Sequence, residues 1–296
     1  MAAAEAADRV TEMSRMRRGW GLTKKSWGLL TEHRALLRFP LYGGVATIVM
    51  AIIVVGPGLY LIDDGKVAPG APLVVVGLYL LALIGTYYSV GLAACADLIF
   101  HGRDASFSDG TAVARSRFGK IAAWALVATV IATTIGFLEG KGGIAGAIFG
   151  RLLQFGWSLI TFLAVPVIAL EGTGPFETLK RSASLFRQRW GEQITGNVAI
   201  GGIVFLVALL PAIVLVFAGA ALWASSGVGG AALVALGVMI FAVGTLVQSA
   251  LSGIFGVALY RYALEGETVG GFTAEELESA VRRKGGAGDG ARPATI

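Results

Sequence analysis

The sequence predicts an all-α, polytopic membrane bundle of about six transmembrane helices. Two observations carry this. Of the 296 residues 55% are hydrophobic and only 15% charged, whereas a soluble domain carries about 25% charged residues. The apolar residues also come in long blocks rather than at amphipathic spacing, and a block of about 20 is what crosses a hydrocarbon core.

Six segments qualify, at residues 40–62, 72–100, 121–137, 150–170, 194–223 and 229–262. The third is the shortest. The second, fifth and sixth are long enough to tilt or to project beyond the bilayer. Three regions result: residues 1–39, a basic tail with an interfacial amphipathic helix; 40–262, the membrane domain; and 263–296, a tail with a short capped helix and a disordered end. Eight Lys or Arg precede the first long apolar block, a pattern unlike a short cleavable signal peptide.

Lys and Arg counts orient the bundle. Residues 1–38 hold eight, 100–120 hold four, 171–192 hold four, and the chain from Arg261 onward holds five, so 21 of 24 lie on one side. Only Lys66, Lys141 and Arg151 lie toward the other. The crowded side is expected to be the cytoplasm, with both termini on it, and the compartment a bacterial plasma membrane.

The second, fourth and sixth spans each end in a short polar exit, a phenylalanine and a basic segment. These run from Phe100-His101-Gly102 to Phe107 and Arg115-Ser116-Arg117; from Glu171-Gly172 to Phe176 and Lys180-Arg181-Ser182; and from Glu265-Gly266 to Phe272 and Arg282-Arg283-Lys284. The repeating unit is two spans and one interfacial segment, three times over. In the third copy Thr273 and Glu276 are spaced as a capping box and Phe272 and Leu277 as a hydrophobic staple. In the second, Pro175 suits a first helical position. Phe176, Leu179, Ala183, Phe186 and Trp190 then fall on one stripe, expected to face acyl chains while the cations face headgroups. The N-terminal region interleaves Trp20, Leu22, Trp27, Leu29 and Leu30 with Arg17, Arg18, Lys24 and Lys25 in the same manner. Boundary belts of ordinary membrane helices also place aromatic and basic residues at interfaces, but recurrence favours the interfacial reading.

The run Val165-Pro166-Val167-Ile168-Ala169-Leu170-Glu171-Gly172-Thr173-Gly174-Pro175 is followed by Lys180-Arg181-Ser182-Ala183, Trp190-Gly191-Glu192-Gln193 and Gly196-Asn197. Together with Arg15, Trp20, Lys25-Ser26-Trp27 and Arg38-Phe39-Pro40-Leu41, it resembles DUF6159, a family of bacterial membrane proteins without assigned chemistry. The resemblance spans about residues 15–261. More distantly, paired spans joined by an Arg-Ser amphipathic segment are similar to the membrane domain of some glycerophosphodiester phosphodiesterases. That resemblance implies a scaffold, and the hydrolase domain has no counterpart here.

Candidate chemistry is sparse. His33 and His101 are the two histidines and Cys95 the single cysteine, so no metal-ligand spacing, thiolate cage or intramolecular disulfide arises. No phosphate loop appears among the 43 glycines. Gly146 and Gly150, and Gly230, Gly237 and Gly244, have instead the spacing of close helix packing in lipid. No cofactor is expected, and without a soluble basic face nucleic acid is excluded as a partner.

Ionisable and amide residues at membrane depth are the remaining candidates. Asp97 with His101, Glu171 and Glu265 sit at span exits; Arg151 and Gln154 form a polar edge on the fourth span; Gln248 lies near mid-depth of the sixth. Headgroup or partner contacts are expected from Arg17, Arg18, Lys24, Lys25, Arg115, Arg117, Lys180, Arg181, Arg187 and Arg189. The sequence therefore predicts a non-enzymatic membrane protein that organises anionic lipids, or a partner membrane protein or second copy, through these segments. A transporter for a lipid-like or apolar solute is the alternative, with Pro166 and Pro211 as possible helix breaks.

Overall fold

The computed structural model describes residues 27–28, 30–33, 35–141, 143–190, 209–222, 227–274 and 277. The described residues hold helices and no strand. Helix α1 (Ala35–Met50) passes through a π-helical stretch, Ala51–Val55, into α2 (Gly56–Asp63), and α3 is Val67–Phe100. There follow α4 (Phe107–Ser116), α5 (Phe118–Lys141), α6 (Gly143–Ile160), α7 (Ala164–Leu170), α8 (Pro175–Trp190), α9 (Leu210–Leu222) and α10 (Gly227–Glu265).

Five stretches are long and apolar enough to cross a membrane: Ala35–Asp63, Val67–Phe100, Phe118–Gly140, Gly146–Leu170 and Gly229–Glu265. The third is longer than the 121–137 expected, because Phe118 and the residues after Phe137 continue the helix. The fifth expected span, 194–223, is described only over residues 209–222, with α9 at Leu210–Leu222. This is the build of an integral membrane protein.

Prolines shape the spans. Pro57 has no N–H and its ring crowds the carbonyl four residues earlier. The helix widens just before it, and Gly56 N–H bonds Ala51 O in place of the usual partner, which lets the span continue. Pro166 has the stronger effect. The fourth span breaks into turns at residues 161–163 before α7 resumes.

Packing is uneven along the bundle. The second and last spans rise about 51 and 56 Å at 1.5 Å per residue, against a hydrocarbon core of about 30 Å. The buried core lies at the C-terminal ends of both. There Val90–Ala96 of α3 and Ala250, Leu251, Ile254, Phe255 and Val257–Tyr260 of α10 are buried together with Leu36 and Phe39 of α1, Leu163 and Ile168 of the fourth span, and Leu185 and Phe186 of α8. Toward the other end Ile52, Ile53, Tyr60, Phe137, Phe149, Phe217 and Met239 are exposed. Lipid accommodates apolar side chains without protein cover, while water does not. The buried end, where the charges also gather, is the base on which the spans stand.

Small residues set the close approaches. A methyl group on Gly237 would lie 2.8 Å from Ala212 O and Val216 Cγ2 of α9, and one on Gly146 would lie 2.6 Å from Leu138 O of α5. Both glycines therefore bring paired spans together, as their spacing suggests.

Candidate functional site

The base carries a belt of ionic contacts made by residues far apart in sequence. Asp97, 8% exposed, accepts two hydrogen bonds from Arg261, Nε to Oδ1 at 2.7 Å and Nη2 to Oδ2 at 3.0 Å. This fork geometry is the strong form of an Arg–carboxylate pair. Arg261 also lies 3.5 Å from Glu265 one turn on. His101 does not complete a site with Asp97: its Nδ1 lies 2.7 Å from the Asp97 backbone oxygen and 3.9 Å from Oδ2.

Glu171 at the fourth span's exit is held similarly. Its Oε1 accepts from Arg181 Nε and from the Tyr260 hydroxyl, both at 2.8 Å. The Glu171 carboxylate raises the Arg181 pKa above its ordinary value, mainly through that hydrogen bond. Tyr260 and Arg261 are neighbours on α10, so one turn of the last span ties down the exits of the second and the fourth.

A third set of contacts closes the end of α7. Gly172 takes φ +66°, the left-handed conformation that ends helices, and its N–H reaches Val167 O and Ile168 O. The Arg117 guanidinium donates to Ile168 O and to Leu170 O at 3.2 Å, and Lys120 Nζ donates to Gly172 O. Cations at a helix C-terminus are favourable. Burial lowers the Arg117 pKa from its ordinary value.

The break caused by Pro166 is closed from α8. Ser182, fully buried, accepts the freed Leu163 N–H on Oγ at 3.1 Å. The Lys180-Arg181-Ser182 run thus places a cation on Glu171 and a hydroxyl on the broken backbone. Thr178, also fully buried, faces Thr173 with the two hydroxyls 2.7 Å apart.

The buried face of α8 is therefore Thr178, Ser182, Leu185 and Phe186, and it packs on the bundle. The expected acyl-facing stripe is divided. Phe186 is buried in protein, Phe176 is 72% exposed, Leu179 and Ala183 are half-buried, and the Trp190 side chain lies outside the described residues. The tertiary core competes with lipid for the apolar face of α8 and takes part of it.

In the first copy, Ser106 and Asp109 make a capping box: Ser106 N–H donates to Asp109 Oδ2 at 2.9 Å and Asp109 N–H to Ser106 Oγ at 3.4 Å. The Ser106 hydroxyl also donates to Asp109 Oδ2, at 2.6 Å, and this bond first, then the Ser106 N–H, lowers the Asp109 pKa. Helix α4 crosses α3 well above its end. Cys95 Sγ donates to Ser106 O at 3.2 Å and Tyr87 Oη to Thr111 O at 3.4 Å. A methyl on Gly91 would lie 3.3 Å from Gly110 O, so glycine allows that crossing.

The expected contact residues divide accordingly. Arg117 and Arg181 are spent on internal partners, whereas Arg115, Lys180 and Arg187 are exposed. Arg17, Arg18, Lys24, Lys25 and the Arg189 side chain lie outside the described residues, as does Glu276 of the expected capping box. Phe272 and Leu277 are both buried in the base. Arg151 and Gln154 are exposed and assemble no site. Gln248 is half-buried, and its Oε1 is buried without a hydrogen-bond partner among the described residues. Among those residues no group of three His, Cys, Asp or Glu side chains is placed to hold a metal ion.

Sequence reasoning missed Tyr260, Ser182 and Thr178. The only available signals were a tyrosine beside Arg261 at a span end and hydroxyls in register with a proline break.

No curated protein and no solved structure matches the chain. The DUF6159 family, a family of unknown function, matches residues 70–271, which takes in most of the second span, helices α4 and α8 and the Asp97–Arg261 and Glu171–Tyr260 ties. This chain belongs to the DUF6159 family.

Proposed function

We propose that the protein is a non-enzymatic membrane scaffold whose base meets the anionic cytoplasmic leaflet and organises lipids there. The observation that carries the reading is the division of cations on α8. Arg181 is held inward by Glu171, while Lys180 and Arg187 of the same helix are exposed. Arg115, on α4, is exposed as well, so three cations of the base are available to headgroups. Each cation near an anionic surface adds about 1 kcal/mol of attraction. The carboxylates that could have served chemistry are occupied by Arg261, Arg181 and Tyr260, which supports a structural role for the belt.

The orientation belongs to this proposal. Reporters fused after Asp64 and Gly142 are expected outside, and those after Arg103 and Arg187 inside. For the lipid reading, the full chain is reconstituted in phosphatidylcholine vesicles with and without phosphatidylglycerol. Enrichment of fluorescent phosphatidylglycerol around the protein is expected, and Lys180→Gln with Arg187→Gln should halve it or more. Equal enrichment in the double variant overturns the reading. Solute flux through protein-containing vesicles that is lost on Gln248→Leu would favour the transporter instead.

A further inference from the structure

Helix α6 packs mainly on α5 and carries two kinds of surface away from it. Ile148, Phe149, Leu152 and Phe155 are exposed apolar side chains, suited to lipid. Beside them runs a second stripe, Ala147, Arg151, Gln154, Ser158 and Thr161, spaced alternately four and three residues. That is the spacing of the contact seam of a left-handed helix pair, the commoner hand in membrane bundles. Arg151, Gln154 and Ser158 are exposed, and Ala147 and Thr161 are half-buried.

Polar side chains on such a stripe need partners, and one chain supplies only some of them. Ser158 Oγ donates to Gln154 O and Thr161 Oγ1 to Trp157 O, each at 2.8 Å, so the hydroxyls are satisfied within the helix. The Gln154 amide and the Arg151 guanidinium make no hydrogen bond or ion pair among the described residues. Gln154 lies about 6 Å nearer the base than Gly150 at 1.5 Å per residue, inside the apolar stretch Gly146–Leu170. An unpaired amide is costly there. Glu139 of α5 stands alongside: its side chain lies over Gly150, where a methyl group would overlap Cγ and come 2.7 Å from Oε1. Glu139 also pairs with no cation among the described residues. Arg151 is the next residue after Gly150, so an anion and a cation stand at nearly one depth without meeting.

We infer that this stripe is the interface of a two-fold dimer of the chain. Copies of one chain insert with one orientation, so the axis runs along the membrane normal and brings equal depths together. Gln154 then faces the second copy's Gln154, and an amide both donates and accepts, so each satisfies the other. Arg151 of each copy meets Glu139 of the other, and the symmetry makes the two ion pairs reciprocal. The patch complements itself in charge and in hydrogen bonding, which a second copy matches and an acyl chain does not. From Ala147 to Thr161 the seam rises about 21 Å, most of a hydrocarbon core of about 30 Å. The inference goes beyond lipid organisation and does not depend on it.

The test follows energy transfer between donor- and acceptor-labelled full chains in phosphatidylcholine vesicles over a range of protein-to-lipid ratios. Wild type is expected to show transfer that falls on dilution as a dimer dissociates. Gln154→Leu should weaken association about tenfold, equivalent to about 1.4 kcal/mol. Glu139→Arg alone and Arg151→Glu alone set like charges against each other, and each should weaken association about as much. Mixing these two variants puts opposite charges back at both contacts, so transfer between them should return to the wild-type level. A folding defect would not be repaired by mixing. Ala147→Cys should cross-link two copies on mild oxidation while Leu152→Cys, on the lipid face, should not; Cys95 is buried and stays out of the reaction.

Wild-type transfer no greater than random crowding gives overturns the inference. So does a mixture that associates no better than either charge variant alone, or cross-linking at Leu152→Cys as strong as at Ala147→Cys. A different protein captured through Ala147→Cys in native membranes, with no dimer of the chain, overturns it as well.

Discussion

Replacing Asp97 with Asn tests whether the base is held by its ion pairs. The substitution keeps the shape of the side chain and removes the charge facing Arg261. Both side chains are mostly buried, at 12% and 17% exposure, so the guanidinium would be left in a poorly solvated place. Breaking a buried pair by removing one partner costs about 3–5 kcal/mol. Glu265 stands 3.5 Å from Arg261 and is 47% exposed, and it takes over part of the pairing, which puts the expected loss near the lower bound, about 3 kcal/mol. At about 2.1 cal/mol/K of unfolding entropy per residue, a chain of this size then melts roughly 5 °C lower. The assay is thermal unfolding in mild detergent, followed by size-exclusion recovery. Asp97→Leu combined with Arg261→Met should recover most of the loss, because apolar replacement of a whole buried pair is often neutral. If Asp97→Asn melts within a degree of wild type, the claim that this pair anchors the last span to the second is wrong.

Three further outcomes follow from the same geometry. Ser182→Ala orphans the buried Leu163 N–H and should cost about 1–3 kcal/mol, read in the same melt, whereas Ser184→Ala on the exposed side of α8 should cost almost nothing. Gly237→Leu places a side chain against Ala212 O and the Val216 backbone and should destabilise the α9–α10 pair by about 1–3 kcal/mol, seen as faster proteolysis of the last span. Ser106→Ala removes the α4 cap at a cost of about 1 kcal/mol. Because the Asp109 pKa is lowered in the fold, its part in the cap is full above the ordinary carboxyl pKa of about 3.9 and fades as the pH falls through the lowered value. The wild-type advantage over the variant should therefore shrink in acid and stay flat from pH 5 upward.

The spans were legible because hydrocarbon imposes a simple rule of length and apolarity, and the five described in full lie where the apolar blocks lie. The glycines at 146 and 237 were legible for a related reason: close approach in lipid needs a missing side chain at helical spacing. The belt was only half visible. Asp97 and Glu171 stand out as charges in apolar runs, but their partners Arg261 and Tyr260 are 164 and 89 residues away, and no local pattern encodes such a pairing. Periodicity also shows that α8 has an apolar stripe without saying what covers it. In the fold, the break at Pro166 brings Ser182 inward, and the stripe rotates so that Leu185 and Phe186 enter the base while Phe176 stays out.

The central claim is that a membrane-embedded base selects anionic lipid. Its most direct measurement is the lipid composition of native nanodiscs cut from the membrane with polymer around the full chain, compared with the bulk membrane. The expected result is anionic glycerophospholipid enriched around the protein. A composition identical to the bulk membrane would contradict it.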